Sequence, residues 1–179
     1  VELSDSVTKI EYHAFYNCKN LTSVSIGNNV TIIDDGTFFG CKNLTDLAIG
    51  NGLTAVNSSA FDLCEKITNI YIRDLSTWLN ISGLDRITTL GSNKKNLYLN
   101  GGRVTNLVIP DGITRITDYS FYNFEDITSV IIPDSVTAIG RYAFYGCLGL
   151  TSVTIVNSVT KIEDYAFYNC HKLVEVINN

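Results

Sequence analysis

The sequence predicts a repeat solenoid: a right-handed, β-rich superhelix of 23-residue coils with a parallel concave sheet and short 3₁₀ or helical turns. Three observations predict it. Cys18, Cys41 and Cys64 are 23 residues apart, as are Cys147 and Cys170. The pair Ala-Phe keeps step at Ala14-Phe15, Ala60-Phe61, Ala143-Phe144 and Ala166-Phe167. The unit running from Leu150 to Lys172 is matched slot for slot by units opening at Leu21, Leu44, Val104 and Ile127. Self-similarity at a fixed period of this length is the signature of stacked repeats.

Each element follows from one slot of the unit. In Leu150-x-x-Val153-x-Ile155 the last two apolar residues alternate, as a strand with one buried face requires. A turn comes next, marked by Pro110-Asp111-Gly112, by Pro133-Asp134-Ser135 and elsewhere by Gly-Asn. Val159 and Ile162 open a second extended stretch. Ala166, Phe167 and Cys170 then sit three to four apart, a spacing that suits an inward-packing turn of 3₁₀ or α-helix. No unit can bury its apolar face alone, so stability has to come from stacking neighbours. Stacking at about 4.8 Å per coil gives a sheet roughly 35 Å across.

Residues 3–20 and 173–179 read as partial units, and the whole of 1–179 reads as one array belonging to a longer protein. The period lapses once. Ile67-Thr-Asn-Ile-Tyr-Ile72 opens a unit, but the next opens only at Val104. The stretch 73–103 reads as a non-repeat insert. Asp74-Leu-Ser-Thr-Trp-Leu-Asn-Ile81 predicts a short helix capped by Asp74. Residues 96–109 predict a β-hairpin turning at Asn100-Gly101, a favoured pair for a tight turn. The insert carries the single tryptophan, Trp78, and a basic pair, Lys94-Lys95. Trp78 is expected in the core, with a binding protrusion as the alternative.

Composition narrows the function. Apolar residues make up 45% of the chain, too many for a disordered polymer, and the net charge is −5. That charge argues against nucleic acid, whose phosphates call for Lys and Arg, and against anionic membrane surfaces. No apolar run approaches the roughly 20 residues that span a bilayer, so membrane insertion is not expected.

The motif L-x-x-[VL]-x-I, V-T-x-I, A-F-x-x-C resembles the BspA-like leucine-rich-repeat family, found in bacterial surface proteins and in some protist ones. The resemblance covers nearly the whole chain outside 73–103. It implies a leucine-rich-repeat superhelix at the cell surface or outside the cell, adhering to proteins of a host or a neighbouring cell. One feature departs from leucine-rich repeats in general. The slot three after the last strand residue holds Asn29 once but Gly52, Gly112, Ser135 and Ser158 elsewhere, so an asparagine ladder at that slot does not carry over.

Catalytic and metal chemistry find no support. Cysteines in one slot of successive coils would have Cβ atoms about 4.8 Å apart, wider than the roughly 3.8 Å of a disulfide, so buried free thiols are expected. Phe124 fills the same slot, which packing tolerates and metal ligation does not. Ser6-Val-Thr-Lys9 and Ser158-Val-Thr-Lys161 match the S-x-x-K nucleophile motif but lie in an extended stretch, not at a helix start. His13 and His171 occupy different slots and form no dyad. Five N-x-[ST] sequons occur, at Asn20, Asn29, Asn43, Asn57 and Asn80, two of them products of the repeat. The expectation is a protein with no enzymatic activity, no cofactor and no metal.

Binding is expected on the concave sheet. The slot between the two buried strand residues holds Ser25, Ala48, Tyr71, Val108, Ile131 and Thr154, and the slot before the first holds Ser23, Asp46, Asn69, Asn106, Ser129 and Ser152. Tyr71, Val108 and Ile131 form an apolar centre beside the polar Asn69 and Asn106, with Arg73 just past the strand end. A second stripe, Tyr119, Tyr142 and Tyr165 before the Ala-Phe pair and Tyr16, Tyr122, Tyr145 and Tyr168 after it, offers an alternative site for protein or sugar rings. The sequence thus predicts a macromolecule-binding, adhesin-like module of a bacterial surface or secreted protein. A structural spacer and a carbohydrate-binding module, with a glycan as ligand, are the alternatives.

Overall fold

In the computed structural model, which describes residues 1–91, 94–155 and 157–178, the coils stack as a parallel β-solenoid of about seven turns. Strands β1 (Ser23–Ser25) and β2 (Ile32–Ile33) belong to one coil, and β3 (Asp46–Ala48) and β4 (Ala55–Val56) to the next. Strand β5 (Asn69–Ile72) leads into two short helices, α1 (Leu75–Leu79) and α2 (Asp85–Thr88). Then come β6 (Asn96–Leu99), β7 (Gly102–Arg103), β8 (Asn106–Val108) and β9 (Arg115–Ile116). The last coils supply β10 (Ser129–Ile131), β11 (Ala138–Ile139), β12 (Ser152–Ile155), β13 (Lys161–Ile162) and β14 (Glu175–Asn178).

The strands pair in parallel at an offset of 23, as at Val24↔Leu47 and Val130↔Val153. Val24, Leu47 and Ile70 point into one continuous core, and Leu107, Val130 and Val153 extend it. On the far side of the regular coils a column of phenylalanines closes the core. Phe15, Phe38 and Phe61 stack with centroids 5.1 and 5.2 Å apart, and Phe121, Phe144 and Phe167 repeat the arrangement at 5.2 Å.

The Ala-Phe segment is a chain of tight turns with no continuous helix. Tyr16 N–H bonds the His13 carbonyl and Cys18 N–H that of Phe15, but His13 and Asn17 both have φ of 56°, which breaks any helical run. Tyr119, Tyr142 and Tyr165 adopt the same left-handed conformation. It costs an L-residue about 1–2 kcal/mol, and ring stacking along the column offsets part of that.

Threonine closes the coils. The hydroxyls of Thr45, Thr128 and Thr151 donate to the carbonyls of Thr22, Thr105 and Thr128, each 23 residues earlier, at 2.9–3.1 Å. A second column links Thr54 to Thr31, Thr137 to Thr114 and Thr160 to Thr137. Asparagine does take part, one residue earlier than the slot where leucine-rich repeats in general carry it. Asp5 accepts the Asn28 N–H at 2.7 Å, and Asn28 Oδ1 accepts the Asn51 N–H at 3.0 Å.

The stretch 73–103 combines two departures. One coil is lengthened, so that β6 pairs with β5 at an offset of 27, Asn69 opposite Asn96. Asp74 caps α1 by accepting the Thr77 N–H, as its sequence predicts. The hairpin turns at Asn100 and Gly101, both with positive φ (51° and 81°), but its antiparallel ladder covers only Tyr98↔Arg103 and Leu99↔Gly102. β8 leaves the hairpin to pair with β10. The concave sheet therefore falls into two, β1-β3-β5-β6-β7 and β14-β12-β10-β8.

Trp78 lies in the core at 1% exposure, so it forms no binding protrusion. In regular coils the Phe N–H donates to the Ala-slot carbonyl of the next coil, as from Phe38 to Ala60 and from Phe121 to Ala143, both at 2.8 Å. The lengthened coil has no such phenylalanine. The Trp78 indole N–H takes its place, donating to the Ser120 carbonyl at 3.0 Å.

Candidate binding face

The concave face is built from the strand residues whose side chains point away from the core. In the first sheet the register sets Ser25, Ala48, Tyr71 and Tyr98 side by side. In the second it sets Val108, Ile131 and Thr154 side by side. Val108 and Ile131 are neighbours, at 57% and 49% exposure, but Tyr71 does not adjoin them. Tyr98 and the hairpin stand between, so the expected single apolar centre is two patches, one aromatic and one aliphatic.

Tyr98 escapes a reading at period 23 because the coil that carries it is four residues too long. Its ring stacks on Tyr71 with centroids 4.6 Å apart. The Tyr71 hydroxyl donates to Asp46 at 3.0 Å, and burial together with that carboxylate pushes its pKa up. Burial works to raise the Asp46 pKa as well, but hydrogen bonds from Thr45, Asn69 and Tyr71 outweigh it and hold the carboxyl below its usual range.

A polar line runs beside the aromatic pair. Asn69 donates to Asp46 at 2.9 Å, Asn96 to Asn69 at 2.7 Å and Arg103 to Asn96 at 3.0 Å, and Arg103 also pairs with Asp126. Each amide gives its N–H toward the carboxylate and its oxygen toward the guanidinium, so the whole line is oriented. It crosses the break and ties the first sheet to the coil of the second. Asn106, farther along, accepts from Ser129 at 2.9 Å.

Where the first strands end, the sheet borders a shallow groove. Gly27 and Gly50 form its floor, because a Cβ on either would lie 2.5 Å from the backbone of the preceding coil. Tyr71, Arg73 and Asn100 stand on one side and Asp5 on the other. Arg73 is exposed there, as its place past the strand end predicts.

The tyrosine stripe is a double ladder. Tyr119, Tyr142 and Tyr165 stack at 4.9 and 5.0 Å, and Tyr122, Tyr145 and Tyr168 at 4.7 and 5.4 Å. Both ring faces of Tyr142 and Tyr145 are covered by neighbouring tyrosines, leaving only edges and hydroxyls outward. A sugar ring, which needs an open aromatic face, finds none on those two. The basic pair of the insert is not a basic patch either. Lys94 pairs with Asp126 at 3.4 Å, and burial of Lys95 brings its pKa down to about 8.

Every cysteine is free, with Cys41, Cys64 and Cys147 buried, Cys170 partly buried and Cys18 exposed. No group of His, Cys, Asp or Glu among the described residues could hold a metal ion. Among them too, no helix is long and apolar enough to cross a membrane.

The description "BspA type Leucine rich repeat region" matches in six copies over residues 1–83 and 92–179. The chain belongs to that family. The match reaches into 73–103 from both ends, over 73–83 and 92–103. Among solved structures, a leucine-rich-repeat protein of T. pallidum is 21% identical with a TM-score of 0.50, over 97% of this chain and 72% of that one. A leucine-rich-repeat protein of Bacteroides ovatus is 21% identical over 99% and 60% of the two chains (TM-score 0.41). A leucine-rich cell surface protein of Faecalibacterium prausnitzii is 20% identical over 99% and 78% (TM-score 0.35). At 21% identity the T. pallidum match is a likeness of fold. No curated protein is significantly similar to the chain.

Proposed function

We propose that this chain is an adhesin-like binding module of a bacterial surface or secreted protein, recognising a protein of a host or neighbouring cell through its concave sheet. The repeats belong to a family of bacterial surface-type proteins that generally serve as protein-interaction modules. The observation that carries the reading is the face itself. Half of Val108 and Ile131 is left in water, and the Tyr71–Tyr98 pair is held rigid by Asp46 beside a fixed line of hydrogen-bonding groups. A preformed aromatic anchor with a polar rim loses little conformational entropy on binding, which favours protein recognition.

The test is binding to immobilised extracellular-matrix and epithelial surface proteins by the wild type and by a Tyr71→Asp, Ile131→Asp variant. Saturable binding that the folded variant loses supports the concave face. Binding that survives in the variant overturns it. Absence of binding by both favours a spacer that holds other domains away from the cell.

A further inference from the structure

The break in the concave sheet leaves a strand edge in the middle of the array. In every regular pair of coils, the first and third residues of a strand turn their N–H and C=O toward the preceding coil. Asp46 N–H bonds the Thr22 carbonyl, Ser25 N–H bonds the Val1 carbonyl, and Ile26 N–H bonds the Ala48 carbonyl. In β8 the corresponding residues are Asn106 and Val108. Their strand pairs only with β10, and no hydrogen bond among the described residues reaches the backbone of either from the other side.

The opposite wall is also an edge. Val104 N–H bonds the Leu97 carbonyl at 2.8 Å, which makes Tyr98↔Arg103 a position where the two strands of the hairpin exchange no hydrogen bonds. The N–H and C=O of Arg103 therefore point away from β6. Between β7 and β8 lies a cleft of roughly 440 Å³, lined by Leu75, Leu99, Gly102, Leu107 and Val108 among others. Val108, which lines the cleft, is exposed, and its neighbour across the ladder on β10, Ile131, is exposed as well.

We propose that the β8 edge binds an extended segment of a partner protein as an added strand. Polypeptide backbone is the ligand that matches it. Two N–H and two C=O groups presented two residues apart, about 6.6 Å along the strand, have the repeat of another strand's own donors and acceptors. Pairing sends alternate side chains to the concave side, where they extend the Val108–Ile131 row on the Val108 side, so the segment carries apolar residues at every second position. The pairing of Arg103 with Asp126 keeps the rim near neutral, so selection rests on backbone and apolar contacts rather than on charge. Natural sheet edges are usually shielded, and β8 is shielded by its length of three residues and, at its first residue, by the Val104–Thr105 link to β7. The inference shares Val108 and Ile131 with the concave-face reading but does not need the aromatic pair, which lies in the other sheet, so Tyr71→Asp tells the two apart.

The probe is a blocked synthetic peptide, Thr-Val-Thr-Val-Thr-Val-Thr, titrated into the isotope-labelled chain while amide exchange is followed by NMR. Exchange at Asn106 and Val108 is expected to slow at least about tenfold on saturation. Val108→Pro deletes one edge donor without touching the β10 side, a setting where proline is tolerated, and should weaken binding at least about tenfold. Continued protection of the Ile109 and Ser129 amides, which bond across to and from β10's coil, reports that this variant is folded. Val108→Lys, which keeps the donor but sets a charge beside the added strand, is the second variant and should weaken binding in the same direction. Tyr71→Asp should bind the peptide as the wild type does. Peptide binding unaffected by both Val108 variants, lost in Tyr71→Asp, or absent altogether would overturn the proposal. So would protection of the two amides that rises with protein concentration and no peptide, since the occupant would then be a second copy of this chain.

Discussion

Replacing Trp78 with phenylalanine tests whether one indole stands in for a lost coil. The side chain is buried, and its N–H is the donor to the Ser120 carbonyl, which in its regular counterparts is served by a backbone N–H. Trp78→Phe leaves that carbonyl buried without its partner, at about 1–3 kcal/mol. The smaller ring adds a cavity term of roughly 1 kcal/mol. Together they predict a loss of about 2–4 kcal/mol. With a urea slope near 2 kcal/mol/M, the unfolding midpoint followed by far-UV circular dichroism should fall by about 1–2 M. The loss should also loosen the coupling between the arrays on either side. Trp78 and the Leu79 carbonyl, which accepts the Thr117 hydroxyl, tie α1 to the following coil. The transition is therefore expected to broaden or split, since a repeat array is cooperative only through its interfaces. A midpoint within about 0.3 M of the wild type, with an unchanged slope, would refute the reasoning.

Two further predictions concern ionisable groups. Burial raises the Cys64 thiol to about 12 and lifts Cys147 well above its usual range, whereas Cys18 is exposed. A thiol reagent should label Cys18 rapidly in the native state, reach Cys41, Cys64 and Cys147 only on unfolding, and count five thiols in denaturant; a lower count would mean a disulfide. Hydrogen bonds from Arg115, then Lys161, hold the Glu163 carboxyl down at about 2 against an ordinary value of 4.5. The folded state thus prefers the carboxylate, so its stabilisation is complete above pH 4.5 and drains away as pH falls toward 2. Arg115→Ala should return the Glu163 titration, read by NMR, toward its ordinary value; a midpoint still near 2 would show that Arg115 is not the cause.

The fold was legible because stacking forces chemically alike residues into register. Cys, Phe and the alternating strand residues recur at 23, and the structure pairs them at 23. Asp74 and Asn100-Gly101 were legible for local reasons, a cap and a turn that need no neighbour to define them. β6 was not legible as a coil strand. Asn96-Leu-Tyr-Leu lacks a preceding threonine and a following Ala-Phe pair, and its offsets from the flanking strands are those of a lengthened coil and a hairpin. Tyr98 and the Asp46–Asn69–Asn96–Arg103 line were lost with it. The threonine columns were present in the sequence all along, at Thr22, Thr45, Thr105, Thr128 and Thr151 and again at Thr31, Thr54, Thr114, Thr137 and Thr160. Their role was hidden because threonine is also an ordinary strand former, so its abundance reads as propensity rather than as a hydrogen bond.

Phe124 shows how far the irregular coil reaches into its neighbour. The four thiols whose preceding coil carries an Ala-slot-and-Phe turn each donate to the phenylalanine carbonyl of that coil. Cys41 bonds Phe15, Cys64 bonds Phe38, Cys147 bonds Phe121 and Cys170 bonds Phe144, at 3.1–3.2 Å. The coil before Phe124 carries α1 and α2 where that turn would be, so the slot has no such carbonyl to meet. A thiol there would be a weak donor buried without an acceptor, and a smaller body than the ring. Phenylalanine removes the unmet donor, fills the volume and packs edge-on against Phe121 at 6.2 Å. Cysteine in this column is thus a hydrogen-bonding residue as well as a packing one, and it gives way where its acceptor is missing.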